Sequence, residues 1–224
     1  LLQEGLDAAR SDEARYYEAS FLTLLGTSCR QLGDARKAIE CHNQSMQIFR
    51  TIGNEQGEGA ALGNLGLAYL DLGENRTAIE YFEQAQAIAC KIRDRRHEGI
   101  WLCNLGAAYL FLGKTDKAIG YHEKQLAITR EIGDKSGEGA ALGNLGLAYA
   151  NLGESGNAIG FYEKELIITR EIGDKRGEGI TLGNLGVAHS NMGDPLKAIE
   201  FYEQALAIDR EIGDRRGEGT PLVN

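Results

Sequence analysis

The amino-acid sequence predicts an all-α solenoid, a stack of antiparallel helix pairs, and three observations carry that prediction. The segment Gly57–Tyr69, Gly-Glu-Gly-Ala-Ala-Leu-Gly-Asn-Leu-Gly-Leu-Ala-Tyr, returns letter for letter at Gly137–Tyr149, with close variants at His97–Tyr109 and Gly177–His189. The step is 40 residues each time, without insertion or deletion, and a period in this range is the mark of units that hide their apolar faces by stacking on one another. Within a period, Leu142, Leu145, Gly146 and Tyr149 recur at i, i+3, i+4 and i+7, one face of an α-helix. No segment alternates at period two, so no sheet is expected.

Taken in order, residues 1–10 align with 121–130, Leu6 on Leu126 and Arg10 on Arg130, which predicts the end of a second helix belonging to a preceding repeat. Repeat 1 is expected over 11–54, with Leu22, Leu25 and Gly26 at the places of Leu62, Leu65 and Gly66. Cleaner repeats occupy 55–94, 95–134, 135–174 and 175–214, and 215–224 starts a further, degenerate one. Both ends fall within a unit and no initiator Met is present, so the sequence reads as an excerpt from a longer array.

In the fourth of these repeats, Gly153 should end the first helix in the left-handed conformation that glycine tolerates. Ala158, Ile159, Tyr162, Leu166 and Ile168 form the inward stripe of the second helix, with Ile172 extending it before Gly173. Asp174 is placed to cap the next first helix. Asp194-Pro195 sets a capping residue before proline at the first helical position. The turns are too short for anything but antiparallel neighbours.

Composition narrows the functions. A net charge of −9 disfavours nonspecific attraction to nucleic acid or anionic lipid and suits a basic or neutral polypeptide partner. No apolar run approaches the ~20 residues of a membrane span, and Leu1-Leu-Gln-Glu-Gly is not a signal peptide. Cys29, Cys41, Cys90 and Cys103 show neither CxxC spacing nor a repeated position, so neither a disulfide framework nor a metal site is expected. A cytoplasmic setting is the resulting expectation.

Leu65-Gly66, Tyr69, Gly73, Ala78 and Phe82 at these spacings resemble the tetratricopeptide repeat. The 40-residue unit is similar to those of Pins/LGN spindle adaptors and kinesin light chains, and to arrays in bacterial and cnidarian signalling proteins. The resemblance implies a right-handed superhelix in which small residues such as Gly66 and Ala78 sit where paired helices cross. It also implies a concave groove that binds an extended peptide. The sequence departs from the pattern at Asn75, Thr115, Ser155 and Pro195, where an aromatic is usual, and at Cys29 and His189, which replace the Tyr69-type residue. Both departures suggest locally looser packing.

Neither catalysis nor a cofactor is indicated. Gly57-x-Gly59-x-x-x-Gly63 looks like a nucleotide fingerprint, but it lies at a helix start after another helix and recurs, whereas the true motif comes after a strand. Its expected role is close contact between neighbouring first helices. His42 and His122 occupy the place of Phe82, Tyr162 and Tyr202, which makes them packing residues, and His97 stands alone near a turn. Glu58, Glu98, Glu138 and Glu178 form a ladder that reads as a solvated helix start favouring negative charge.

The first-helix polar stripe is the candidate binding site. Asn64, Asn104, Asn144 and Asn184 repeat at one position, with Asp71, Asn151 and Asn191 seven residues on and Arg96, Arg176 and Arg216 before them. An amide offers donor and acceptor to the backbone of an extended peptide. Rungs spaced by packed helices at ~8–10 Å would meet such a peptide about every three residues at ~3.3 Å each. The alternative is that these amides bond only within the array. Phe111 stands where Gln31, Asp71, Asn151 and Asn191 do and reads as a contact residue, whereas Trp101, at the place of Ala61 and Ala141, reads as packing. The basic clamp by which some tetratricopeptide proteins grip C-terminal carboxylates is missing. Ala60, Ile100, Ala140 and Ile180 hold one of its places, and Gly63, Cys103, Gly143 and Gly183 another.

The leading expectation is therefore a non-catalytic scaffold for an extended segment of a partner protein. End-to-end self-association and service as the sensor arm of a larger signalling protein are the alternatives.

Overall fold

The computed structural model describes the backbone of residues 2–213 and the side chains of 11–213. Among the described residues every regular element is an α-helix: α1 (Leu2–Gln31), α2 (Ala35–Thr51), α3 (Glu55–Asp71), α4 (Asn75–Lys91), α5 (Arg95–Phe111), α6 (Thr115–Glu131), α7 (Lys135–Asn151), α8 (Ser155–Glu171), α9 (Lys175–Asn191) and α10 (Pro195–Ile212). The start expected at Arg215 lies outside the described residues.

Two compact units result, one ending at Lys114 and the other beginning at Thr115. In unit 1 each of α1–α4 packs on its successor in the chain, and α1 also touches α3. In unit 2 each of α6–α9 does the same.

The turns form for local reasons. Asp34, Asn54, Asp94, Asp134, Asp174 and Asp194 each accept the backbone N–H three residues on, the bond from Gly177 to Asp174 being 2.9 Å long. Each helix from α1 to α9 is succeeded by a left-handed residue, glycine in every case but one. The exception is Arg93 at φ 59°, after α4, a conformation that costs a side-chain-bearing residue of order 1 kcal/mol.

Two expectations are revised. No turn separates residues 1–10 from residues 11–31, because α1 runs unbroken from Leu2 to Gln31. The stretch aligned with Ile52-Gly53-Asn54 is Asp12-Glu13-Ala14, which has no glycine to take a left-handed conformation. Ile172 is not part of the inward stripe; it ends α8 at the surface, while Ala158, Tyr162, Leu166 and Ile168 are buried.

The core obeys the repeat. Leu62, Leu65, Leu105, Leu142, Leu145, Leu182 and Leu185 are almost completely buried, each contributing about 1.5–3 kcal/mol by removal from water. In unit 2, Tyr162 and Leu166 of α8 pack with Leu182 and Leu185 of α9 and Ile208 of α10. The glycines of the repeated segment admit side chains mainly from second helices rather than neighbouring first helices. Gly57 lies under Phe49, Gly59 under Ile88 and Gly66 under Phe82, and only Gly63 meets a first-helix residue, Trp101. On α1 the corresponding face is open: Phe21 and Leu25 are 70% and 48% exposed, whereas Ala61 and Leu65 at the same repeat positions are fully buried.

Candidate functional site

The exposed face of the first helices carries the candidate residues. Asn64 and Asn104 in unit 1, and Asn144 and Asn184 in unit 2, are half-buried, neither sunk in the core nor fully solvated. Among the described residues Asn64, Asn104 and Asn184 make no side-chain hydrogen bond, so their amides are open to a ligand. Asp71, Phe111, Asn151 and Asn191 are exposed on the same face two turns on, and Arg96 and Arg176 are exposed before it. Arg216 lies outside the described residues. Asp71 is engaged by Arg30 at 3.2 Å.

Phe111, the last residue of α5, is 72% exposed. Trp101 is buried instead, its indole filling the space over Gly63 and lying 6.3 Å from the ring of Phe82.

Sequence reasoning missed the apolar half of this face. Ile100 in unit 1, and Leu147, Ile180 and Val187 in unit 2, flank the amides and are exposed. Ile180, Asn184, Val187 and Asn191 succeed one another at steps of four, three and four along α9, so the stripe alternates greasy and amide side chains. Part of the signal lies in the repeat positions: Ile100 and Ile180, which hold a place of the missing basic clamp, belong to this second half.

The glutamate ladder is not a solvated helix start. Glu98 and Glu178 are buried, and Glu58, Glu138 and Glu178 bind Arg50, Arg130 and Arg170, the residue eight places earlier, at 2.7 Å each. The guanidinium of Arg130 and the ammonium of Lys135 hold Glu138 below the usual carboxylate range against the opposing effect of burial. Burial pushes Glu178 up, but the bonds from Arg170 and Lys175 outweigh it and the net shift is down. Where the series would put an arginine, residue 90 is cysteine, and Glu98 is bound by Arg95 at 2.6 Å. Partial desolvation and the Glu98 carboxylate raise the Cys90 thiol to about 11, although the residue is exposed.

The histidines are packing residues, with one difference. His42 and His122 are fully buried, His42 against Gly26. His97 does not stand alone: its Nδ1 lies 2.7 Å from Asp94 Oδ2, and its ring stacks on Trp101. His189 does not loosen its surroundings either. It stacks on Phe201 at 5.3 Å, the spacing of Tyr149 on Phe161. Among the described residues no group of three or more His, Cys, Asp or Glu is arranged to hold a metal ion, and no helix is long and apolar enough to cross a membrane.

Comparison with known proteins settles the family. The tetratricopeptide repeat pattern matches residues 17–91, 96–166 and 138–211, most of the chain. The chain belongs to the tetratricopeptide repeat family. No curated protein sequence matches it. Solved structures match the tetratricopeptide fold at low identity. The BtubC (BKLC) protein of P. vanneervenii is 20% identical with a TM-score of 0.80, over 98% of this chain and 94% of that one. The nearly identical TPR-like repeats of a putative kinesin light chain from Podosopora anserina are 22% identical with a TM-score of 0.72, over 87% of this chain and 96% of that one. The Rap conjugation gene regulator of the plasmid pLS20, in complex with the Phr* peptide, is 19% identical with a TM-score of 0.70, over 89% of this chain and 55% of that one. The array is thus an all-α, tetratricopeptide-like solenoid of the class the repeat predicts.

Proposed function

We propose that this chain is a non-catalytic protein-interaction scaffold, and that the exposed face of its first helices holds an extended segment of a partner protein. The observation that carries the reading is the state of the Asn ladder. Amides at Asn64, Asn104 and Asn184 are half-exposed with no partner among the described residues, and exposed apolar residues stand beside them. An extended peptide presents the matching combination, a row of N–H and C=O groups and side chains that leave its backbone at period two. The fold is compatible with such use, since the Rap regulator of similar fold is a peptide complex. Acidic net charge favours a basic or neutral segment, and a cytoplasmic location goes with cysteines that form no disulfide among the described residues.

The test is capture of partners from native lysate, compared with Asn104→Ala/Asn184→Ala and with Phe111→Asp. Loss of the same captured protein in both variants, with helicity and melting unchanged, supports the reading. Unaltered capture removes the ladder from it.

A second reading, contact between copies of the chain, is favoured by the open face of α1 at Phe21 and Leu25 and by Leu196 and Ile199 exposed on α10. Light scattering over a dilution series decides it: a mass independent of concentration argues against self-association.

A further inference from the structure

The same glycine cradle is filled differently in the two units. In unit 1 the space over Gly63 of α3 receives the indole of Trp101. In unit 2 the space over Gly143 of α7 receives the carboxyl group of Glu165, which rises from α8 between α7 and α9. The other second helices carry Ser45, Ala85, Gln125 and Ala205 at this position, so the carboxylate is peculiar to one place in the array.

Its surroundings do not suit a charge. Oε2 of Glu165 is buried and has no hydrogen-bond partner. Thr181 of α9 lies within hydrogen-bond reach of the carboxyl, but its hydroxyl proton is directed to Gly177 O at 2.8 Å, and a hydroxyl has one proton to give. The titratable groups that act on the site are Asp174, in the α8–α9 turn, and Tyr162, one turn away on α8. Gly143 and Thr181 supply the walls from α7 and α9, and none of the described groups that act on the carboxyl is a cation. Burial first, with Asp174 adding to it, pushes its pKa up to about 7.

The position points to a use. Gly143 precedes Asn144 and is half-exposed, and Thr181 comes directly after the exposed Ile180, so the carboxyl sits in the seam beneath the stripe formed by Asn144, Leu147, Ile180 and Asn184. We infer that Glu165 is the specificity residue of this stripe and receives a lysine or arginine side chain of the extended segment bound there. The inference rests on the reading of the stripe as a peptide site. An ammonium or guanidinium entering the seam supplies the N–H donors that Oε2 lacks, through a charge-assisted bond shielded from bulk water. Gly143 makes room for the carboxyl group itself, since a Cβ there would collide with it. The corresponding place in unit 1, Ala85 beside Trp101, has no carboxylate and makes no such demand.

The test is a set of labelled nonapeptide pools, each with one register position fixed as Lys, Arg, norleucine or Glu. They are bound at pH 8 to the full chain and to Glu165→Gln, an isosteric variant whose fold is checked by its melting curve. The expected result is a preference of about tenfold or more for Lys or Arg over norleucine at one register position. That preference disappears in Glu165→Gln and declines in the parent at pH 6, where the carboxyl is protonated. Asn184→Ala, by contrast, should weaken all pools alike. Binding without a cation preference, or a preference that survives Glu165→Gln, overturns the inference and leaves the peptide site standing. Failure of every pool to bind overturns both.

Discussion

Replacing His42 by Phe should abolish most of the acid sensitivity of unit 1. The ring of His42 is completely buried, packs over Gly26, and leaves both nitrogens without a partner. Burial, reinforced by the positive charge of Arg30, lowers its pKa from the ordinary 6.5 to about 4. Above 6.5 the ring is neutral in folded and unfolded chain alike and titration contributes nothing. Between 6.5 and about 4 the unfolded chain takes up a proton that the folded chain refuses, so stability falls as the pH falls and levels off only once the folded ring protonates. At about 1.4 kcal/mol per pH unit, the loss is roughly 3 kcal/mol. Phenylalanine fits because the repeat already places Phe82 over Gly66 in the same manner. The assay is urea denaturation of parent and His42→Phe at half-unit steps from about pH 7.5 to about pH 4. The parent should lose stability relative to the variant across that window, by roughly 3 kcal/mol at the acid end. A stability difference independent of pH would refute the reasoning, because it would mean that the ring protonates in place without cost.

Other consequences are as direct. Gly160→Ala, at a helix position where a Cβ would meet nothing within 4 Å, should raise stability by about 0.5–1 kcal/mol through helix propensity, read from a thermal melt. Gly146→Val would press a branched side chain into the ring of Tyr162 and should cost about 1–3 kcal/mol in the same assay. Asp174→Ala removes the acceptor for Gly177 N–H and should cost about 1 kcal/mol. Arg170→Ala should cost about 1 kcal/mol, because the arginine is half-exposed although Glu178 is not. Raising the salt concentration should shrink that cost.

The helix pairs were legible because their causes are local and repeated. Glycine at each turn, an Asp or Asn three residues before a backbone donor, and leucines at i and i+3 each dictate geometry without reference to the rest of the chain. Trp101 was readable as packing because it replaces alanine where neighbours are small. Partners that meet only after the chain folds were not legible. Arg130 and Glu138 lie on opposite sides of a turn, and a solvated glutamate and a paired one have the same letter. Their signal was the joint recurrence of Arg and Glu eight residues apart, broken at Cys90 where Arg95 takes over. The unbroken course of α1 could have been seen in the missing glycine at residue 13. Glu165 was passed over for a related reason: a single charged residue at a position otherwise small or neutral has no local consequence. Its meaning appears only when Gly143 and Thr181 enclose it.

The claim on which the function rests is that a partner segment lies along the amides of the first helices. The side-chain amide signals of Asn64, Asn104, Asn144 and Asn184, observed by nuclear magnetic resonance during titration with a captured segment, test it most directly. Selective shifts of these signals, together with those of the exposed methyls of Leu147, Ile180 and Val187, are the predicted result. Amides that stay in place while shifts gather on outward residues of the second helices, such as Ile167, would contradict the account.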